Sequence, residues 1–475
     1  MRSPRRLPIL VLVVAVLAAL ALVEVDDGAP RPLGDVASIA MPTAGGASAL
    51  SSAWFCAASA TAADGRADLS VTVANGTASP RSGTVTWVPD EGNPVDRPVE
   101  LGPHQALRLV AGDAVRAGGV SAIVELDGGG VTVEHEAESA RGRGLAPCAS
   151  AASDRWYLAN GTTARDAAQV LVLFNPFPDD AIVDVSFATE QGRDQPDALQ
   201  GLPVRARSAT RVNVSELVRR RAVTATAVVA RRGRLVVDRL QSFDGSEGRT
   251  GLSLALAAPA PAESWTFPGG LHQEGLTERW RLFNPGDRDA VVIIEVVPDS
   301  GEVPIPVERT VPARSQLVVD AAESSSVPGG TGHSSTVRSV NGVPVVAERE
   351  LAGTSPSSRR GWSSMLGSPL VAERWVLATG PGADDVAERL VVHNPGAEPV
   401  RFSVTALASG APLAVPGLQD LELGPAQRRV LDMAASLERS PLPLVVEADG
   451  PVVVERDLSS AGAPGISTLI GVPEA

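Results

Sequence analysis

Apolar and polar residues alternate in short runs along most of the chain, and the runs recur in four copies. An Asn ends one such run in each copy: Asn75, Asn175, Asn284 and Asn394. Two and four residues before it stand Val73 and Val71, Leu173 and Leu171, Leu282 and Trp280, and Val392 and Leu390. Successive strand residues point to opposite faces, so this period of two predicts strands with one buried face. Gly or Pro follows each Asn, a turn signal: Asn and Gly tolerate the left-handed region, and Pro ends a ladder. A second alternating run then begins, at residues 84–88, 183–187, 291–297 and 401–407.

The copies share more than these runs. Trp54, Trp156, Trp265 and Trp375 precede the four Asn by 21, 19, 19 and 19 residues. Each copy later carries an apolar run ending in an acid and a base: Glu134-His135, Asp238-Arg239, Glu348-Arg349 and Glu455-Arg456. The last three copies close on Gly-x-Ser and a Pro, from Gly251 to Pro259, Gly361 to Pro369 and Gly465 to Pro473. The first closes on the shorter Gly144-Leu145-Ala146-Pro147. Six or seven short strands per hundred or so residues predict an all-β fold of four tandem immunoglobulin-like β-sandwich repeats. Their bounds are 53–150, 154–260, 263–370 and 373–475, too long for propeller blades of about 45 residues. Six-residue joints, as between Pro259 and Trp265, predict a semi-rigid string of units. Each repeated Trp is read as a ring that plugs one end of its sandwich. Glu348 and Arg349 are neighbours on opposite faces, so each is expected to pair with charges on adjoining strands.

The N-terminus differs from the rest. Arg2, Arg5 and Arg6 precede an apolar run over 7–23, with Glu24, Asp26 and Asp27 just beyond. Residues 1–26 therefore predict a signal anchor, a single transmembrane helix with a cytoplasmic N-terminus and the bulk outside; if the signal is cleaved, the protein is secreted. Residues 27–52, rich in Gly, Ala, Pro and Ser, read as a flexible tether. The two cysteines, Cys56 and Cys148, fit an oxidising address and are expected to form a disulfide joining the first and last strands of the first unit. Cys148 follows Pro147 directly, where two other copies have Ala260 and Leu370.

Composition narrows the function. All 41 basic residues are Arg, which removes Schiff-base chemistry and a Lys-ended phosphate loop. A net charge of −14 argues against nucleic acid as a partner. The five His are scattered without metal-ligand spacing, and no cofactor site is expected. Acidic turns at 90–91, 179–180, 244–247 and 384–385 read as ordinary hairpin turns rather than calcium loops. The basic cluster Arg219, Arg220 and Arg221 with Arg231, Arg232 and Arg234 reads as a solvated face.

The frame Trp-x-[Leu/Phe], Asn-Pro, Pro-Ala-x-Ser and Val-x-[Glu/Asp]-Arg resembles a family of exported, membrane-anchored actinobacterial repeat proteins of unknown function, over residues 54–473. The resemblance implies the sandwich repeat and brings no functional residues with it. The expectation is a non-catalytic, membrane-tethered scaffold, adhesion or interaction protein of the cell envelope, with residues 7–23 in the membrane and an envelope protein or polysaccharide as partner. A glycan-binding protein is the alternative. An enzyme would need a carboxylate pair in a cleft between units.

Overall fold

The computed structural model describes residues 40–61, 67–300, 302–322, 327, 329–380, 386–437, 442–460 and 465–474. In the first unit Ser51–Cys56, Val120–Asp127, Arg81–Pro89 and Val95–Leu101 form one antiparallel sheet in that order. Gly142–Pro147, Val131–Ser139, Ser70–Asn75 and Ala106–Val110 form the second. Leaving aside the two-residue pair Ala60–Thr61 and Ala67–Asp68, the sheets join strand positions 1-6-3-4 and 8-7-2-5 in chain order. The other units repeat this order, the fourth merging positions six and seven in the long strand Leu444–Ser460. The runs before each Asn become the second strands, which are buried on both faces toward the Asn, as in Ser70–Asn75 and Leu276–Asn284, and not on one face as expected. The runs after it become the third strands: in Ala181–Thr189 and Ala290–Pro298, buried and half-buried residues alternate as the pattern requires.

Each unit thus has eight strand positions where the pattern predicts six or seven. The extra one comes from the closing segment. Thr250–Leu256 pairs along the acid-base strand Val236–Asp244, with Gly251 opposite Phe243 and Leu256 opposite Asp238. The acid-base strands are buried on both faces along most of their length, as in Val131–Ser139 and Val346–Gly353. An antiparallel strand covered on both sides needs a second layer beyond its own sandwich. The neighbouring unit supplies it.

The six-residue joints do not produce a string. The eighth strands Gly142–Pro147, Thr250–Leu256, Gly361–Leu366 and Ile466–Ile470 pack in succession, and the last packs against the first. The four units therefore close into a ring around a common axis. Glycine permits the close approach: a Cβ on Gly251 (φ +149°) would lie 2.7 Å from the Trp362 nitrogen, and one on Gly361 (φ +127°) 2.9 Å from the Gly465 nitrogen. The Ser of Gly-x-Ser links the same strands. Ser253 Oγ donates to Ser364 O at 3.3 Å, Ser363 Oγ and Thr468 Oγ1 lie 2.9 Å apart, and Leu145 N donates to Ser467 Oγ at 3.2 Å.

The expected anchor, at 1–26, lies outside the described residues. Among the described residues no helix is long and apolar enough to cross a membrane. Of the tether expected over 27–52, residues 40–44 are packed, whereas residues 45–51 are mostly exposed, Leu50 at 93%. Ala40 and Ala44 are fully buried, and Ala44 N donates to Pro473 O at 2.9 Å. Ala40, Met41 and Pro42 cap an axial cavity of about 50 Å³ lined by all four eighth strands.

Candidate functional site: the charge ring and the clefts between units

The acid and the base of each unit reach in opposite directions. His135 Nε2 lies 3.0 Å from Asp238 Oδ2 of unit two. Arg239 Nη2 lies 2.8 Å from Glu348 Oε2 of unit three, and Arg349 Nη1 lies 3.2 Å from Glu455 Oε2 of unit four. Each acid also accepts backbone N–H groups just beyond the Trp strand of the preceding unit. Ala57 N and Ala58 N donate to Asp238 at 3.0 and 2.8 Å, and Ala159 N and Asn160 N to Glu348 at 2.8 and 3.0 Å. Gly269 N donates to Glu455 and Thr379 N to Glu134, both at 2.8 Å. The last contact runs from unit four back to unit one and completes the circle. Pairing with an adjoining strand holds for Arg456, 2.7 Å from Glu388 of its own unit, while at the other three seams the pairing runs across the seam, because alternating strand faces send the acid backward and the base forward.

All these groups are buried, so pairing and hydrogen bonding decide their state. Burial pushes the Glu134 carboxyl above its ordinary value, against the pull of the Arg456 charge and the N–H groups of Thr379 and Ala378. Burial would raise Glu278 too, but His333, 3.1 Å away, and Arg349 hold it at about 2. Burial keeps His393 neutral, its pKa lowered to about 4.

The repeated Trp and Asn sit at matching points of the units. Trp54, Trp156, Trp265 and Trp375 are buried, and the last three donate their indole N–H to Leu235 O, Val345 O and Val452 O at 2.8, 2.7 and 3.0 Å. The Asn act through their side chains, not through left-handed backbone. Asn284 Nδ2 donates to Arg288 O and Val311 O, and its Oδ1 accepts from Gly286 N. Asn75, Asn175 and Asn394 make the same bracket between their turn and the chain end of the fourth strand. Left-handed residues stand elsewhere, at His104, Arg207, Arg314 and Ala426, one in each fifth-strand turn.

Cys56 and Cys148 are bonded, with Cα atoms 4.6 Å apart. Cys148 does not correspond to Ala260 and Leu370. Its N–H donates to Val133 O as Ala257, Gly367 and Gly471 donate to Val237, Ala347 and Val454, so those three are its counterparts. Each of them lies at the level of Leu158, Phe267 or Leu377. A Cβ on Gly367 would meet the Phe267 ring at 2.8 Å. The disulfide occupies a place where the other units set a large apolar side chain over a small residue. His135 Nδ1 lies 3.4 Å from Cys148 Sγ, and the three side chains are grouped within 4.8 Å. With both sulfurs in the disulfide, they offer no thiolate to a metal.

The acidic turns are occupied by the protein itself. Asp90 pairs with Arg211 across the first seam at 2.7 Å, Asp180 accepts Ala206 N, and Asp244 accepts Ser246 N; residues 384–385 lie outside the described residues. In the basic cluster Arg231 pairs with Asp184 at 2.7 Å and Arg234 stacks over Phe177 at 5.3 Å. The sequence pattern missed the clefts between units. One of about 380 Å³ lies between units two and three, where Arg155, Arg193 and Arg314 surround Tyr157, Phe283 and Pro285. Its counterpart between units three and four, of about 310 Å³, is lined by Glu295, Ser335, His393, Pro395 and Ala426. Residues so distant in sequence share no local motif, and only ring closure brings them together.

Residues 128–365, half of the chain, match a family described as a family of unknown function (DUF5719). The chain belongs to this family. The DUF5719 match runs from the acid-base strand of unit one to the eighth strand of unit three, and so takes in the whole of unit two and most of unit three, with the seam between them. No curated protein shows significant similarity to the sequence. Among solved structures, the Anabaena sensory rhodopsin transducer is 27% identical over 18% of this chain and 94% of its own, with a TM-score of 0.17. A tetra-tandem repeat from the extending region of a large adhesion protein is 13% identical over 86% of this chain and 95% of its own, with a TM-score of 0.11. An α-L-rhamnosidase of Streptomyces avermitilis complexed with L-rhamnose is 12% identical over 70% of this chain and 38% of its own, with a TM-score of 0.13.

Proposed function

We propose that this DUF5719 protein is a non-catalytic interaction module of the cell envelope, anchored through residues 7–23 and holding its ring outside the membrane. The observation that carries this reading is the use made of the repeated acid-base pair. All four acids accept backbone N–H groups from the preceding unit, so the most conspicuous recurring chemistry of the chain serves assembly. What is left for partners is the outer surface and the clefts. The units are read as immunoglobulin-like. Strand two pairs with five and three with six, as B with E and C with F in that fold, while strand one lies beside six and strand seven beside two, an exchange of the places of A and G.

A rigid closed ring favours display of binding clefts over reach, which separates this reading from a stalk. Fractionation of the producing cells tests it. The protein should stay in the membrane fraction through a carbonate wash and be cut by protease added to intact spheroplasts. Recovery as a protease-protected cytosolic protein would sink it. Glycan binding is the second reading, favoured by the arginine-lined cleft between units two and three.

A further inference from the structure

We infer that the cleft between units two and three is a binding site for an acidic oligosaccharide, an inference that rests on the glycan reading only for the source of its ligand. Its volume of about 380 Å³ is within the range of small-ligand sites. Tyr157 and Phe283 form its floor, with ring centroids 6.4 Å apart and planes tilted by 56°. Three guanidinium groups surround that floor. Arg155 opens the strand Arg155–Leu158, Arg193 lies in the edge strand Gly192–Asp194, and Arg314 stands in a left-handed turn whose N–H donates to Gly286 O at 2.9 Å.

Charge singles this cleft out. All three side chains are exposed, and among the described residues none forms an ion pair with an acid of the protein, in a chain of net charge −14. Equivalent positions at the other seams are spent differently. Arg374 corresponds to Arg155, one residue before its unit's Trp, and is tied to Glu447 and Glu474. His393 and Ala426 correspond to Phe283 and Arg314, and no arginine lines their cleft. Tyr157 and Phe283 are 7% and 4% exposed, so the arginines rather than the rings face a ligand. Arg155 is hydrogen-bonded to Tyr157, and all three planar forks match carboxylates bidentately. A uronate-containing chain offers one carboxylate on each residue, which a lone inorganic anion does not.

The test is calorimetric titration of the full-length protein in detergent micelles with tetragalacturonate, neutral maltotetraose and inorganic phosphate. Tetragalacturonate should bind at least about tenfold more tightly than maltotetraose, with an affinity that falls as salt rises. Arg155→Gln, Arg193→Gln and Arg314→Gln should each weaken it about tenfold, the loss expected for one charge-assisted hydrogen bond. Arg97→Gln, an equal loss of charge on an exposed strand of unit one, should leave it unchanged. The inference is overturned if tetragalacturonate does not bind at millimolar concentration, if maltotetraose binds equally well, if phosphate displaces it at equal concentration, or if all three variants bind like the parent. A cytosolic location would end the envelope reading without altering any of these titrations, so the two fail separately.

Discussion

The seam between units two and three and the seam between units four and one are made from equivalent positions, and they are held differently. At the first, Glu348 meets Arg239 through two contacts of 2.8 and 3.2 Å and also accepts Ser364 Oγ at 2.8 Å. Asn160 adds a bond to Glu350 at 3.1 Å. At the second, Glu134 accepts Thr379 N, but Arg456 turns to Glu388 of its own unit, 2.7 Å away. The two terminal nitrogens of that buried guanidinium find no hydrogen-bond partner among the described residues. Apolar contacts join the two units in small clusters, among Ala74, Val376, Ala378, Leu407 and Val445 and among Leu145, Leu458 and Leu469. The three seams that follow the chain have a peptide joint to keep their charges in register. The closing seam has none, and it relies on shape and on the N-terminal segment bonded to Pro473.

The largest effect is expected in unit one, beside the first seam, where Cys148 touches His135 and Ala57 N donates to Asp238. Replacing both Cys56 and Cys148 with Ser should cost about 4–5 kcal/mol in denaturant unfolding, from the long loop they close. A loss below about 1 kcal/mol would mean that the seams, not the staple, fix unit one. Next comes one substitution at two equivalent places. Glu348→Gln leaves Arg239 buried and unpaired and should cost about 3–5 kcal/mol, while Glu134→Gln, which breaks no direct ion pair with Arg456, should cost about 1–2 kcal/mol. Equal losses would abolish the distinction between the seams.

Acid should act through His393, which lines the cleft between units three and four. Its folded pKa of about 4 lies below the ordinary 6.5, so the unfolded chain takes up the proton first. Stability is therefore full above pH 6.5 and falls as pH drops toward 4, by about 3 kcal/mol in all. In a His393→Gln protein that slope should vanish from the pH dependence of the melting temperature; an unchanged slope would assign it to another group. The smallest effect should ignore the seams altogether. Asn284→Ala and Asn75→Ala each lose one turn bracket and should cost a similar amount, about 1 kcal/mol. A severalfold difference between them would show that the bracket depends on the unit that holds it.

Much of each unit was legible because its causes are local. Val71 and Val73 before Asn75, or Leu171 and Leu173 before Asn175, declare a strand by their spacing alone, and two cysteines in an exported-looking chain allow only one pairing. The role of Asn was half legible: the turn could be read, but the bond from Asn284 to Val311 joins segments that no window contains. Ring closure was not legible, because a six-residue joint permits both an extended and a folded-back path. Three clues nevertheless lie in the sequence: Gly at a fixed place in each closing segment, Ser two residues on in the last three units, and an acid next to a base in a strand otherwise apolar. Each is an odd choice for a strand facing water and an apt one for a strand facing another unit. Cys148 was placed three residues out of register because Pro147 was matched to Pro259, whereas the backbone matches it to Leu256.

The chain enters the ring at its hub, where Ala40, Met41 and Pro42 meet all four eighth strands. In the proposed anchored arrangement the mooring is at this hub, which differs mechanically from a mooring at the rim. Tension on the segment before Ala40 is divided among four units instead of peeling one away. Swivelling about that point carries each cleft into its neighbour's place without lifting or lowering it. A partner approaching from any side would therefore meet the cleft of units two and three at the same height, after no more than a turn.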